Sequence, residues 1–308
     1  MINRILIRIK VLQMVYAYHQ NSDVDLKVAE NELFLSLRRS YDLYYYFLLL
    51  IVDVTRLQER RLETRKSKYR PSEEELSPNT RLVDNRFAQQ VQSNEMLRKY
   101  VRDHGISWVH EAGFVKQILD LILASDVYKT YLNNPNDSYE TDREFWRSVF
   151  RLLLCGNEDL ENALEDMSIY WNDDVDIIET FIIKTIRQFE ESAGSEQELL
   201  PMYKDDEHRE FAIKLFRYAL MHRAEYYERI GKHLKNWETE RIAHMDLIIM
   251  QVALAEIMYF PKIPVNVTLS EYIDAAKYYS TPRSGTFING ILDAVVQDLR
   301  KEKILLKD

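Results

Sequence analysis

Glycine and proline occur only seven times each in 308 residues, and cysteine once. A sheet protein of this length turns often, and tight turns draw on Gly, Pro and Asn. Their scarcity points to long helices joined by few loops. No proline precedes Pro71, so nothing before it removes a helical N–H. The lone Cys155 cannot close an internal disulfide, which sets aside a stapled secreted scaffold. It follows the apolar stretch Val149 to Leu154 and reads as a small core residue. No long hydrophobic run exists. The most apolar segment, Leu43 to Val54, includes three tyrosines and Asp53 and is too short to span a membrane. The start, Met1 to Arg8, has charges inside its apolar run and no small-residue cleavage site, so it is not expected to act as a signal peptide. The chain is expected in the cytoplasm, away from membranes.

Signatures of catalysis are missing too. No two glycines stand two apart, and no Gly-Lys-Ser or Gly-Lys-Thr occurs, so there is no phosphate cradle of either common kind. His110-Glu111 opens like a zinc-protease motif, but Phe114 stands where the second histidine belongs. The scattered histidines and the single cysteine give no metal-ligand spacing. Asp173-Asp174 and Asp205-Asp206 read as helix starts or linkers. No catalytic residue, cofactor or metal is expected, and the protein is not expected to be an enzyme.

What the chain does have is charge in blocks and apolar residues at helical spacing. Net charge is -9, so any RNA binding must use a local basic patch. Residues 1–20 carry Arg4, Arg8 and Lys10 and no acid. Residues 56–70 carry seven bases against Glu59 and Glu63, and residues 158–179 carry nine acids and no base. A solvated helix face is the plain explanation for such runs. That explanation is the stronger one for Arg56 to Arg70.

The expected fold is all-α, in three parts. Residues 1–66 read as two long helices. Ile5, Ile9, Leu12 and Tyr16 form one apolar stripe on the first, and Arg4 and Arg8 share another face. The second runs from about Val24 to Thr64, with at most one break. Its tyrosines Tyr41, Tyr44, Tyr45 and Tyr46 are too dense for one face and should line both core and groove. Residues 67–204 read as a linker, interrupted by Pro71 and Pro78, and a helical insertion. Breaks are expected at Asn133 to Asn136 and Ser192 to Ser195. Residues 205–308 read as a C-terminal bundle. There Ile242, Met245, Ile249 and Val252 form a stripe ending before Pro261 and Pro264. Thr268 and Glu271 read as a capping box opening a helix with Leu269, Ile273 and Ala276 inward. Ser284 should cap a last helix with the stripe Ile288, Leu292, Val295 and Leu299. Gly290 inside that helix suggests close approach of another helix.

The C-terminal part carries a series of short motifs: Asn236-Trp237, Glu240-Arg241-Ile242, Asp246, Ala255-Glu256-Ile257 and Ile263-Pro264-Val265. The series continues through Glu271 and Lys277 to Phe287-Ile288-Asn289-Gly290-Ile291-Leu292-Asp293, the most specific piece. In their order and spacing these motifs resemble the NusB family. Gln13-Met14-Val15-Tyr16, with Arg4 and Arg8 upstream, is similar to the family's opening. Family members are typically shorter, so 67–204 looks like an insertion between two NusB-like halves. Ile5 and Leu6 stand where the family often has bases, and Thr286 stands where a lysine is common.

The resemblance implies two packed helical bundles and a transcription antitermination factor. Such a factor binds boxA-type RNA together with NusE, a small-subunit ribosomal protein, within the RNA polymerase antitermination complex. It implies RNA contacts at Arg4, Arg8, Lys10, Tyr16, Arg283 and Phe287, and a partner contact at Asp246. Arginines at the first two positions suit phosphates, and Tyr16 suits a base splayed from the stack. The plain alternatives are surface solvation for the bases, core packing for Tyr16, a helix-entry anchor for Phe287 and a capping or core hydrogen bond for Asp246. A NusB-like domain fused to an RNA methyltransferase would need a glycine-rich loop and catalytic cysteines that this sequence lacks. A helical scaffold that kept the fold without RNA binding is the other reading.

Overall fold

The structure, a computed structural model, describes residues 1–21, 24–234, 242–305 and 307. Among these residues the chain forms fifteen α-helices, no strand longer than an isolated Ile2–Tyr203 bridge, and short 3-10 and π turns. The all-α expectation holds. The motif pieces Asn236-Trp237 and Glu240-Arg241 lie outside the described residues.

In chain order the helices begin with α1 (Arg4–Gln20) and α2 (Leu26–Lys66). Next come α3 (Glu73–Leu76), α4 (Arg86–Ser93), α5 (Glu95–His104), α6 (Ala112–Ala124), α7 (Asp126–Asn133) and α8 (Tyr139–Val149). After α9 (Glu158–Met167) and α10 (Val175–Gln188) follow α11 (Asp206–Met221), α12 (Arg223–Lys232), α13 (His244–Tyr259), α14 (Val265–Tyr279) and α15 (Ser284–Lys301). They fall into two compact units. One is Ile2–Leu37 with Tyr203–Asp308; the other is Met1 with Arg38–Met202. The expected first division at 66/67 thus differs from the observed one, which falls inside α2. That helix is unbroken over 41 residues, about 60 Å of rise, and serves both units.

In the first unit α1 packs against α11 and α13. Asn3 caps α1, its side chain accepting from the Leu6 amide at 2.9 Å. Covered on two sides, α1 buries Leu6, Ile7, Val11, Leu12 and Val15, and also Arg8 and Lys10. The expected stripe is therefore displaced: Leu12 is buried, whereas Ile5 (47% exposed) and Tyr16 (39%) face outward. α13 is buried on every side from Ile248 to Ile257. A helix apolar all round belongs at the centre of a bundle. α14 starts at Val265 after Pro264, so Thr268 and Glu271 are not a capping box. Thr268 instead lies buried inside the helix and donates to Glu256 Oε1 at 2.8 Å.

On α15 the stripe Ile288, Leu292, Val295 and Leu299 is buried as expected. Ser284 is its first residue rather than its cap. Gly290 differs from expectation. It is exposed, and a Cβ there would meet nothing within 4 Å, so no helix approaches it. Gly290→Ala should therefore raise stability by about 0.5–1 kcal/mol, through the lower backbone entropy of the unfolded chain. A thermal melt checks this, and a lowered midpoint would mean the glycine has a steric or conformational purpose.

The second unit is organised by the aromatic stretch of α2. Tyr41, Tyr44 and Tyr45 are buried and Tyr46 is half-buried. They line core rather than groove. Tyr44 OH pairs with Thr185 Oγ1 at 2.8 Å, and the Tyr45 and Tyr100 rings stack at 3.7 Å. The indole of Trp108 donates to Tyr46 O, and that of Trp171 to Arg39 O. Side-chain caps explain most helix starts here: Asn85, Asn94, Ser125, Ser138 and Asn157 each accept from the amide three residues on. α8 runs into a π turn, Phe150–Leu154, after which Cys155 is exposed rather than core.

Candidate RNA and partner interface

The seven singled-out residues all lie in the unit of Ile2–Leu37 and Tyr203–Asp308, and the structure sorts them sharply. Arg4 sits at the rim. Its side chain is 38% exposed, its guanidinium lies 5.4 Å from the Phe211 ring, and Glu207 is 3.9 Å away. Arg8, four residues on, is interior. Its Nε and Nη2 donate to the two Glu256 oxygens, each at 2.8 Å, and Nη1 lies 3.2 Å from Glu271 Oε2. The two arginines therefore do not share an open face. Lys10 is fully buried, so it does not extend a basic track on α1. Both corrections have one cause: with α11 and α13 flanking α1, most directions off this helix lead inward.

Glu256 explains why a guanidinium belongs there. It is fully buried, and besides Arg8 it accepts from Thr268 Oγ1 (2.8 Å) and Tyr272 OH (3.2 Å). A buried carboxylate needs both a cation and satisfied lone pairs. The sequence placed Glu256 in a motif without a role. An acid in an otherwise apolar helix, with an arginine in an apolar first helix, was the available signal.

Asp246 is also interior, at 5% exposure. Its carboxylate accepts from Ser280 Oγ at 2.5 Å and Ser284 Oγ at 2.9 Å. These serines bracket the turn Thr281-Pro282-Arg283, so Asp246 fixes that turn from beneath instead of facing a partner directly. The turn presents Arg283 to solvent. Phe287, one turn further along α15, is half-buried, and its amide donates to Arg283 O at 3.2 Å. Arg283 and Phe287 thus stand one turn apart at the start of α15.

Tyr16 lies at the far end of α1 from Arg4. Its ring centroid is 5.9 Å from that of His244, which is 6.0 Å from that of His19. Burial first, then the neighbouring Arg223 and His244, lower the pKa of His19 to about 4. His19 is therefore neutral near pH 7. None of His19, Arg223 or His244 was singled out in the sequence. Their distance along the chain hid the cluster.

Among the described residues no group of three His, Cys, Asp or Glu side chains is placed to hold a metal ion. None of the described helices is long and apolar enough to cross a membrane.

The fold and this surface define an all-helical protein whose candidate contacts are arginines and rings at helix ends. Residues 174–297 match the model of the NusB family. The transcription antitermination protein NusB of Salinibacter ruber is 39% identical over 132 residues, covering 41% of this chain and 82% of that protein. Its counterpart in Koribacter versatilis is 41% identical over 99 residues, 32% of this chain and 68% of the relative. That of Geobacter sulfurreducens is 39% identical over 114 residues, 35% and 83% respectively. No solved structure matches the chain. The chain belongs to the NusB family.

Proposed function

We propose that this protein is a transcription antitermination factor of the cytoplasm, without catalysis. It binds boxA-like single-stranded RNA with a small-subunit ribosomal protein acting as NusE, in the RNA polymerase antitermination complex. The observation that carries the reading is the relationship to antitermination proteins that this chain covers over most of their length. Support comes from Arg4, Tyr16 and Arg283 at the surface and Phe287 beside Arg283. Arg8, Lys10 and Asp246 serve this function by holding the scaffold.

RNA affinity measured by filter binding at several salt concentrations, with and without the ribosomal protein, tests it. Each phosphate contact contributes a log–log salt slope of about -0.7 for single strands. Arg4→Ala should flatten the slope by about that amount, with similar loss on every RNA sequence, because phosphates carry no base identity. A helical scaffold without RNA binding is the second reading. It is favoured by the burial of Arg8 and Lys10, which leaves Arg4 as the one arginine or lysine of α1 that reaches solvent. Absence of any boxA affinity, with the ribosomal protein still bound, would decide for the scaffold.

A further inference from the structure

Three helix ends come together at His19: the end of α1, which carries it, and the starts of α12 and α13, which bring Arg223 and His244 near it. Tyr16 and His244 are exposed, with tilted rings at 59° to each other. Arg223, the first residue of α12, is exposed, and its guanidinium lies 5.0 Å from the Tyr227 ring. Beneath the rings, His19 Nε2 lies 3.4 Å from Gln251 Nε2, which also donates to Ala219 O at 2.7 Å. A neutral His19 that accepts at Nε2 carries its proton on Nδ1. Among the described residues that Nδ1–H is buried without a partner, and so is Gln251 Oε1. Buried polar atoms are rarely left this way in a finished core. A donor and an acceptor without partners thus adjoin two open rings and a cation.

We infer that Tyr16, His244 and Arg223 form a pocket for one unstacked nucleotide of single-stranded RNA, the base on the two rings and the phosphate on Arg223. This rests on the RNA-binding reading and gives it residues outside the arginines of α1. Two open rings and a guanidinium are the elements single-strand sites combine, since every base has a face to stack and every nucleotide a phosphate. An acidic peptide would satisfy Arg223 but leave the rings without a matching group.

The test uses the full chain, the ribosomal protein and a fluorescent boxA-like RNA of mixed sequence. Tyr16→Ala and His244→Ala should each weaken binding by about fivefold or more, as expected for loss of a base–aromatic stack. Tyr16→Phe should retain affinity, because the stack needs the ring and not the hydroxyl. Arg223→Gln should flatten the salt slope by about 0.7. Crosslinking of 4-thiouridine RNA should attach at Tyr16 or His244, a readout that a loss of folding in a variant does not imitate. If the parent binds and Arg4→Ala or Phe287→Ala weakens it while these three positions do not, the pocket is wrong and the RNA-binding reading stands. Crosslinks confined to other segments would likewise exclude the pocket and leave RNA binding intact. If the parent binds no RNA under any condition, both fall together.

Discussion

Arg8→Ala is expected to cost the unit of Ile2–Leu37 and Tyr203–Asp308 about 3–5 kcal/mol, the range for removing one partner of a buried ion pair. The alanine would leave Glu256 fully buried, with only the hydroxyls of Thr268 and Tyr272, among the described residues, toward its carboxylate and Glu271 no longer opposed by the guanidinium. Two neutral donors do not replace a bidentate cation. A marginally stable unit would lose a large part of its stability. Replacing both partners with apolar residues, as in Arg8→Met with Glu256→Leu, should recover part of it, because no fully buried charge is left unpaired, although the buried Tyr272 hydroxyl loses its acceptor. Urea unfolding followed by circular dichroism gives both numbers. A single-variant loss below about 1 kcal/mol, the range of solvent-exposed pairs, would show that water reaches this pair. The same loss of stability enters any RNA measurement. An Arg8 variant that binds RNA poorly reports an unfolded helix bundle, so Arg4 is the arginine of α1 to substitute.

The arginine illustrates where sequence periodicity ceases to inform. Helix α15 shows one face to the core, and its stripe Ile288, Leu292, Val295 and Leu299 was legible and is buried. Helix α1 is enclosed by two others, so several spacings of apolar residues look equally helical. The stripe that ends at Tyr16 is partly the exposed one. Polar residues on an enclosed helix cannot be assigned to surface by spacing. Arg8, Lys10 and Asp246 are all interior for this reason. Whether a charge is buried depends on a partner far along the chain: Glu256 lies 248 residues from Arg8. Local signals fared better when their cause was local. Pro264 fixes the start of α14, and Asn134 and Pro135 separate α7 from α8. The Tyr16–His244 contact spans α1 and α13 and left no trace in either segment alone. The division of the chain inside α2 was equally hidden, because the helix continues without a break while its packing partners change.

A rise from about pH 5 to about pH 8 is expected to cost the unit of Arg38–Met202 about 3 kcal/mol through Glu179 alone. This residue is 1% exposed, and its Oε1 has no hydrogen-bond partner among the described residues. Burial lifts its pKa from 4.5 to about 7, with Asp176 and Glu161 adding to the rise and the Cys155 thiol, as hydrogen-bond donor, partly opposing it. The sign follows from proton affinity. The folded state holds this proton more tightly than the unfolded chain, so the group's stabilisation is complete below about 4.5 and is lost as pH climbs through about 7. The gap between those values sets the size, at about 1.4 kcal/mol per pH unit. Other carboxylates of the same unit shift the opposite way: Arg61 beside Asp120 and Arg147 beside Glu144 hold them below their usual range. Total stability therefore mixes several titrations, whereas the difference between the parent and Glu179→Gln isolates one. The tryptophans Trp108, Trp146 and Trp171 all lie buried in this unit, which makes fluorescence-detected urea unfolding suitable. The variant should gain on the parent steadily from about pH 5 to about pH 7, and the gain should level off above the folded pKa. A difference that stays constant from about pH 5 to about pH 8 would mean that Glu179 is ionised in the folded protein throughout, with water or a cation reaching Oε1.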